Sequence, residues 1–266
     1  MFYIAAAAAY AAHFAGRDPR AGRLATGLLA GGLLAHTFLI GMHTVQAGHA
    51  PLVGTTAAIS AFVLLLGLAY LYVELTSEER SMGLFVTVLM VSLGIIPALD
   101  GGVTQRPALL RSPLFTVHVM SMLFAYASFA LASVLGVTYV LLFKEIKAKE
   151  LGLFYTRLPS LGALDVMNGR AVWVGWIFLT IGLVVGGIWA AQVQSSPDPR
   201  VQHMSLADPK ILIAIISWAV YTFALYARRA IGWNGRRAAW LSAIGFAIVL
   251  LNFVPVGYFL TRSHNF

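Results

Sequence analysis

The sequence predicts an all-α integral membrane protein, a bundle of eight transmembrane helices with both termini on the outer, extracytoplasmic side. Three observations lead to this prediction. The 266-residue chain is 59% hydrophobic and only 11% charged, whereas soluble domains carry about 25% charged residues. It contains eight apolar stretches, most of them close to the roughly 20 residues that an α-helix needs to cross a bilayer. Its Lys and Arg residues gather in alternate connections between those stretches.

The predicted spans follow one another along the whole chain, so residues 1–266 are expected to form a single membrane domain. The eight spans cover roughly residues 1–15, 22–43, 52–75, 81–98, 114–143, 171–193, 209–227 and 237–261. No basic segment precedes the first apolar stretch, which predicts an uncleaved helix rather than a signal peptide. Small residues such as Gly182 and Gly186 recur inside the spans and allow helices to approach closely.

The positions of Lys and Arg predict the orientation of the bundle. The connections after the first, third, fifth and seventh spans hold 13 of the 18 such residues, and the rest of the chain holds five. Because cytoplasmic loops carry the excess of positive charge, both termini are placed outside. A multi-pass protein of the cell inner (plasma) membrane is therefore expected. The basic connection 144–170 is expected to form a surface helix near anionic lipid.

Composition disfavours several classes of function. The net charge of +8 is explained by membrane orientation rather than by nucleic-acid binding. The chain has no Cys, which excludes disulfides, thiolate metal sites and covalent attachment of haem to this chain. The apolar segments carry no nucleophile motif, Gly-rich phosphate loop or carboxylate pair. We therefore expect no catalytic activity of its own.

Histidines gather toward the predicted outer side. Six of the seven lie there or in the outer half of a span: His36, His43, His49, His118, His203 and His264. Imidazole ligates haem iron and other metals, and it is costly to place in lipid without a partner. A haem or metal site is one interpretation. The alternative is that each His near a helix end only hydrogen-bonds lipid headgroups or backbone carbonyls.

A polar and aromatic segment, Trp189–Lys210, joins the sixth and seventh spans on the same outer side. Trp189 lies in Gly-Gly-Ile-Trp-Ala (186–190), and Asp208-Pro209-Lys210 opens the next span. Asp208 suits the N-cap of that helix, with Pro209 at its first position. Trp189 also suits an ordinary interfacial belt. Both a structural and a ligand-binding interpretation are therefore open.

Three stretches together resemble the cytochrome c assembly protein family, haem-handling membrane proteins of the CcsA, CcmC and HemX type. The first is Leu-Pro-Ser-Leu-Gly-Ala-Leu-Asp (158–165), followed by residues 186–190. The second runs from Asp208-Pro209-Lys210 through Arg228-Arg229 into Gly-Trp-Asn-Gly-Arg-Arg-Ala-Ala (232–239). The third is Val117-His118-Val119. The resemblance covers about residues 110–266 well and the first 110 loosely.

The resemblance implies a tryptophan-rich outer segment that cradles non-covalent haem b, with two flanking histidines as axial ligands. His118 and His264 match the two metal-ligating positions. Trp189, Asp208 and Lys210 match the ends of the tryptophan-rich segment and are the further expected cofactor-binding residues. The independent count of Lys and Arg places all five on the outer side.

Some positions depart from the family pattern. Residues 192–207 lack the family's further aromatics, and Tyr226 stands where haem-exporting members carry a membrane-embedded His. His36 is a further candidate cofactor ligand, with His43 and His203 in reserve. These departures favour the HemX-like branch of the family.

Three functions follow, in decreasing order of preference. The first is haem binding or handling at the outer face, of the cytochrome c biogenesis type, with lipid and haem as partners. The second is a HemX-like, non-catalytic partner that stabilises or regulates another protein of haem or cytochrome assembly through Lys144–Arg170. The third is a small transporter, which the scarcity of ionisable groups inside the spans disfavours. Glu74, for example, is predicted to lie at the end of a span rather than inside it.

Overall fold

The computed structural model describes residues 1–50, 52, 54–99, 112–149, 152–194 and 209–251, and all regular structure in them is helical. The helices are α1 (Phe2–Gly16), α2 (Pro19–Ala47), α3 (Thr55–Ser77), α4 (Gly83–Leu99), α5 (Pro113–Ala148), α6 (Leu153–Arg157), α7 (Leu161–Gln194), α8 (Pro209–Tyr226) and α9 (Arg236–Leu251). A π-helical turn, Ala227–Ile231, extends α8. The prediction of an all-α protein is confirmed.

Five helical segments are long and apolar enough to cross a membrane: Pro19–Ala47, Thr55–Ser77, Pro113–Ala148, Leu161–Gln192 and Pro209–Ile231. The helices α1 and α4 are apolar but shorter. The structure thus supports a multi-pass membrane protein. The count of eight spans and the side of each terminus stay predictions.

Helix starts follow local capping chemistry. At the start of α2, the Asp18 side chain accepts a hydrogen bond from the Arg20 backbone N–H at 2.9 Å, and Pro19 occupies the first position. At the start of α7, the Ser160 hydroxyl oxygen accepts from the Ala163 backbone N–H at 3.1 Å. Each cap satisfies a backbone donor that has no partner within its helix.

The connection 144–170 differs from the predicted surface helix. Helix α5 continues to its end at Ala148, the short α6 follows, and α7 begins directly after Ser160. Residues 161–170 are therefore the first turns of a long helix rather than a separate one on the membrane surface. Asp165, Asn168 and Arg170 interrupt the apolar run, which is why hydropathy alone placed the start of this span ten residues too late.

Helix α5 is the central element of the packing. It packs against α7, α9 and α3, while α1 packs on α2 and α4. The predicted close approach of small residues is confirmed at two positions on α7. A Cβ on Gly182 would lie 2.7 Å from the Met122 sulphur, and one on Gly186 would lie 2.5 Å from the His118 ring.

The backbones of α5 and α9 approach closely at Gly136, where a Cβ would lie 2.7 Å from the Ala239 carbonyl oxygen. Gly136→Ala is expected to lower the free energy of unfolding by about 1–3 kcal/mol, because the two backbones must separate. Gly27→Ala is the matched control, since no described atom beyond its own stretch of helix backbone lies within 4 Å of its Cβ. Thermal unfolding in detergent compares the two, and equal midpoints would contradict the prediction.

The basic connections meet at one end of the bundle. One cleft there is lined by His13 and Arg17 at the end of α1, by Glu79 and Ser81 after α3, and by residues 155–156 and 158–162 in the segment that follows α5. Arg228, which follows α8, bonds to Asp165 near the start of α7. The four connections that carry the excess of Lys and Arg therefore share one end. That this end faces the cytoplasm stays a prediction from the sequence.

Candidate functional site

His118 lies in the second turn of α5 and faces α7. Its Nδ1 is 2.8 Å from the Gly182 carbonyl oxygen. A carbonyl oxygen only accepts hydrogen bonds, so Nδ1 carries the proton and Nε2 carries the lone pair of the neutral ring. A metal-ligating His usually donates its other N–H to a carbonyl or carboxylate in this way, which fixes the tautomer and the ring orientation.

Glycine at position 186 makes room for this imidazole. The Cβ of any other residue there would fall 2.5 Å from His118 Nδ1, well inside contact distance, and would displace the ring from the Gly182 carbonyl. The Gly-Gly-Ile-Trp-Ala motif thus positions His118 as well as Trp189. Sequence reasoning gave Gly186 only a general packing role.

Trp189 lies near the C-terminal end of α7 and is 4% exposed. Its ring packs edge-on against Phe115 with the ring centroids 5.1 Å apart. Among the described residues, no acceptor lies within hydrogen-bonding distance of its buried indole Nε1. This burial argues against a purely interfacial Trp, whose ring would lie at the level of the lipid headgroups. A buried indole N–H usually has a hydrogen-bond partner, so a donor without one is unusual. Phe115, which the sequence analysis did not single out, supplies the ring that Trp189 packs against.

Helices α7 and α8 run antiparallel, in a register fixed by two hydrogen bonds. Trp176 Nε1 donates to the Thr222 hydroxyl at 2.8 Å, and Trp218 Nε1 donates to the Thr180 hydroxyl at 2.9 Å. Four residues forward on α7 thus correspond to four residues back on α8. Extending this register places Trp189 level with the first turn of α8, which contains Lys210. That these two positions bind a cofactor stays a prediction.

Two of the expected cofactor-binding positions, His264 and Asp208, lie outside the described residues, as does His203. Within the described part of the chain, no group of three or more His, Cys, Asp or Glu side chains could hold a metal ion. A haem with two axial imidazoles needs no such group. Of the expected site residues that the structure describes, His118 and Trp189 lie where α5 packs on α7. The register of α7 and α8 brings the start of α8, with Lys210, to the level of Trp189.

His36 lies elsewhere, among α1, α2 and α3. Its Nδ1 is 2.9 Å from the Tyr3 hydroxyl, and its Nε2 is 2.9 Å from the Ser60 hydroxyl. Both ring nitrogens thus have partners, and ligating iron would break one of these bonds. A structural role in joining three helices accounts for this side chain. None of its described contacts involves His118 or Trp189.

Comparison with known proteins identifies the family. The family described as Cytochrome C assembly protein matches residues 27–264. The chain belongs to this family. The family match includes most of α2 and all of α3 and α4, where the motifs resemble the family only loosely. It therefore covers His36 on α2 and its partner Ser60 on α3, as well as the helices around His118.

The similar proteins include several named cytochrome c biogenesis protein CcsA. The protein of Heterosigma akashiwo is 26% identical over 234 residues, covering 74% of this chain and 70% of the relative. That of Guillardia theta is 25% identical, covering 86% and 81%. That of Gloeobacter violaceus is 24% identical, covering 94% and 88%. A closer relation to the HemX-like branch stays a prediction.

Proposed function

We propose that this membrane protein of the cytochrome c assembly family handles haem, and that it holds haem where α5 starts, α7 ends and α8 starts. One observation carries the proposal. His118 is fixed by the Gly182 carbonyl in the tautomer that presents Nε2 as a ligand nitrogen. It packs on the same helix, α7, that carries the buried Trp189.

The side chains where α7 ends and α8 starts suit the propionate groups of haem, while His118 suits its iron. The buried indole N–H of Trp189 lacks an acceptor among the described residues and can donate to a propionate. Lys210, on the level of Trp189, supplies positive charge for the same group. His118 would be one axial ligand and His264 the other. Haem is the cargo in this proposal, and its iron supplies the two axial coordination positions.

The names of the relatives support the same process. Several are cytochrome c biogenesis proteins that match most of this chain. The proposal extends to a plasma-membrane location and to a second protein of cytochrome assembly that supplies or receives the haem. Such a transfer needs no bond-making residue from this chain, since ligation, ring packing and charge suffice to position the cargo.

The experiment is to purify the chain in detergent with haem supplied and to record the reduced absorbance spectrum. His118→Ala is expected to lower haem retention about tenfold or more, since losing even a residue that supports a metal ligand costs about 10–100-fold in affinity. Imidazole added to this variant should restore part of the b-type signal, because it replaces the missing ligand. His36→Ala is the matched control and should retain haem, since its ring is committed to Tyr3 and Ser60.

Three results would overturn the proposal. The unaltered chain could show no b-type absorbance, His118→Ala could keep it in full, or the two His variants could lose it equally. Far-ultraviolet circular dichroism of each variant shows whether the helices are retained. A folded His118→Ala protein without haem is the supporting result.

A further inference from the structure

The corner between α8 and α9 carries exposed arginines that lie over aromatic rings. The Arg229 guanidinium carbon is 4.8 Å from the centroid of the Trp173 ring, and that of Arg237 is 5.4 Å from the Trp233 ring. Both arginines are exposed, whereas both indoles are half-buried. A guanidinium that lies over a ring uses one face for the contact. Its five in-plane N–H donors remain for oxygen acceptors.

Neither arginine has a carboxylate partner in the described part of the chain, where the ion pairs are Arg80 with Glu74 and Arg228 with Asp165. The contrast with Arg228 is direct, because Arg228 is the residue before Arg229. Arg228 points into the bundle and is paired, while Arg229 is exposed and stacked on an indole. The corner therefore presents positive charge that the described protein does not neutralise.

Apolar side chains on the same corner are exposed beside these arginines. Phe223 is 44% exposed, Tyr226 59%, Ile231 49% and Trp240 47%. Phe223 also packs edge-on against Trp233, with the ring centroids 5.7 Å apart, so the apolar surface continues into the ring under Arg237. Exposed aromatic and aliphatic groups next to cations are typical of the zone where lipid headgroups meet acyl chains.

We propose that the α8–α9 corner binds one anionic phospholipid, with Arg229 and Arg237 donating hydrogen bonds to headgroup phosphate oxygens. The exposed apolar side chains contact the acyl chains, which a free phosphate lacks. Guanidinium matches phosphate oxygens in a fixed fork geometry, and the indoles hold the forks in place through cation–π contacts. The site is at the opposite end of the bundle from His118 and does not depend on the proposed haem function.

The test is a titration of the purified full chain followed by native mass spectrometry, with dioleoyl phosphatidylglycerol, dioleoyl phosphatidylcholine or sodium phosphate as the probe. The unaltered protein should bind phosphatidylglycerol in preference to phosphatidylcholine. The Arg229→Gln/Arg237→Gln double variant should lose at least about tenfold in affinity for phosphatidylglycerol. Each basic residue near a membrane surface contributes about fivefold to the affinity for anionic lipid. Lys144→Gln/Lys147→Gln is the charge-matched control, because both lysines are exposed on α5 and neither lies over a ring among the described contacts. It should lose about threefold or less, because a charge that does not touch the bound headgroup acts on it only through a salt-screened field.

Each alternative result overturns the proposal in its own way. Equal losses in the two double variants would mean a general surface field and no site. Equal binding of phosphatidylcholine would mean a solely apolar contact. Sodium phosphate that displaces phosphatidylglycerol at equal concentration would mean a phosphate site rather than a lipid site. Arg229→Lys/Arg237→Lys keeps the charge but removes the fork, and full binding by this variant would exclude the stacked guanidinium as the recognition element.

Discussion

Asp165→Ala is expected to lower the free energy of unfolding by about 3 kcal/mol or more, because it leaves Arg228 without its carboxylate partner. The two side chains form a bidentate pair, with Arg228 Nη2 to Oδ1 at 2.8 Å and Nη1 to Oδ2 at 3.2 Å. Both side chains are less than one-fifth exposed. Removing one partner of such a pair costs far more than removing a surface charge.

The Asp165 carboxylate also makes a second contact, which increases the expected loss in the free energy of unfolding. Asp165 Oδ1 also accepts the Gly235 backbone N–H at 2.9 Å, so it ties the turn after the π-helix to α7. Arg228 in turn donates to the Asn168 side-chain oxygen at 3.0 Å, and Asn168 donates to the Ala132 carbonyl of α5 at 2.7 Å. One Asp thus supports contacts among α5, α7, α8 and α9.

Thermal and denaturant unfolding in detergent measures this effect. Asp18→Ala is the matched control, since it removes an exposed helix cap and should cost about 1 kcal/mol. The double variant Asp165→Leu/Arg228→Met should be more stable than Asp165→Ala, because it removes both charges together. An Asp165→Ala protein as stable as the Asp18 control would show that this pair contributes little.

The same pair positions the proposed lipid site. Arg228 and Arg229 are consecutive residues of the π-helical turn, so the anchoring of one to α7 restricts where the other can reach. Arg229 then lies over Trp173, eight residues beyond Asp165 on the same helix. Loss of Asp165 is therefore expected to weaken the placement of Arg229 without altering its charge.

Helix positions could be predicted from the sequence because apolar length is a local property of the chain. The predicted spans 22–43, 52–75 and 209–227 lie inside or close to α2, α3 and α8 with its π-turn. The start of α7 was missed for a physical reason. Its polar residue Asp165 is paired with Arg228, which lies 63 residues later. A hydropathy average over neighbouring residues does not include that partner.

The candidate site was predictable in part for similar reasons. Its residue types, and their shared end of the bundle, follow from motifs and from charge asymmetry. The contact that gives His118 its tautomer joins residues 64 positions apart, and the burial of Trp189 depends on Phe115 from another helix. His36 differs, because its depth in a span favoured a ligand while the structure gives both of its ring nitrogens hydrogen-bond partners. The His36→Ala variant tests whether it ligates haem.

Glu74→Ala is the second variant expected to cause a large loss, about 3–5 kcal/mol, because it removes a buried carboxylate from the contacts among α1, α2 and α3. The sequence placed Glu74 at a helix end, but its side chain is 1% exposed. It accepts a hydrogen bond from the Tyr10 hydroxyl at 2.6 Å and another from the Thr26 hydroxyl. Its Oε1 lies 3.8 Å from Arg80 Nε, and that nitrogen also donates to the Thr26 oxygen at 3.2 Å.

Truncating Glu74 would therefore leave Tyr10 and Arg80 facing a cavity without a carboxylate acceptor. Glu78→Ala is the matched control, since Glu78 is exposed four residues later on the same chain segment. It should change stability by less than about 0.5 kcal/mol. If the network carries the effect, Tyr10→Phe should cost less in the Glu74→Ala background than alone, because the hydroxyl has already lost its acceptor. Additive losses for this pair would mean that Glu74 acts through packing, with the hydrogen bond to Tyr10 contributing little.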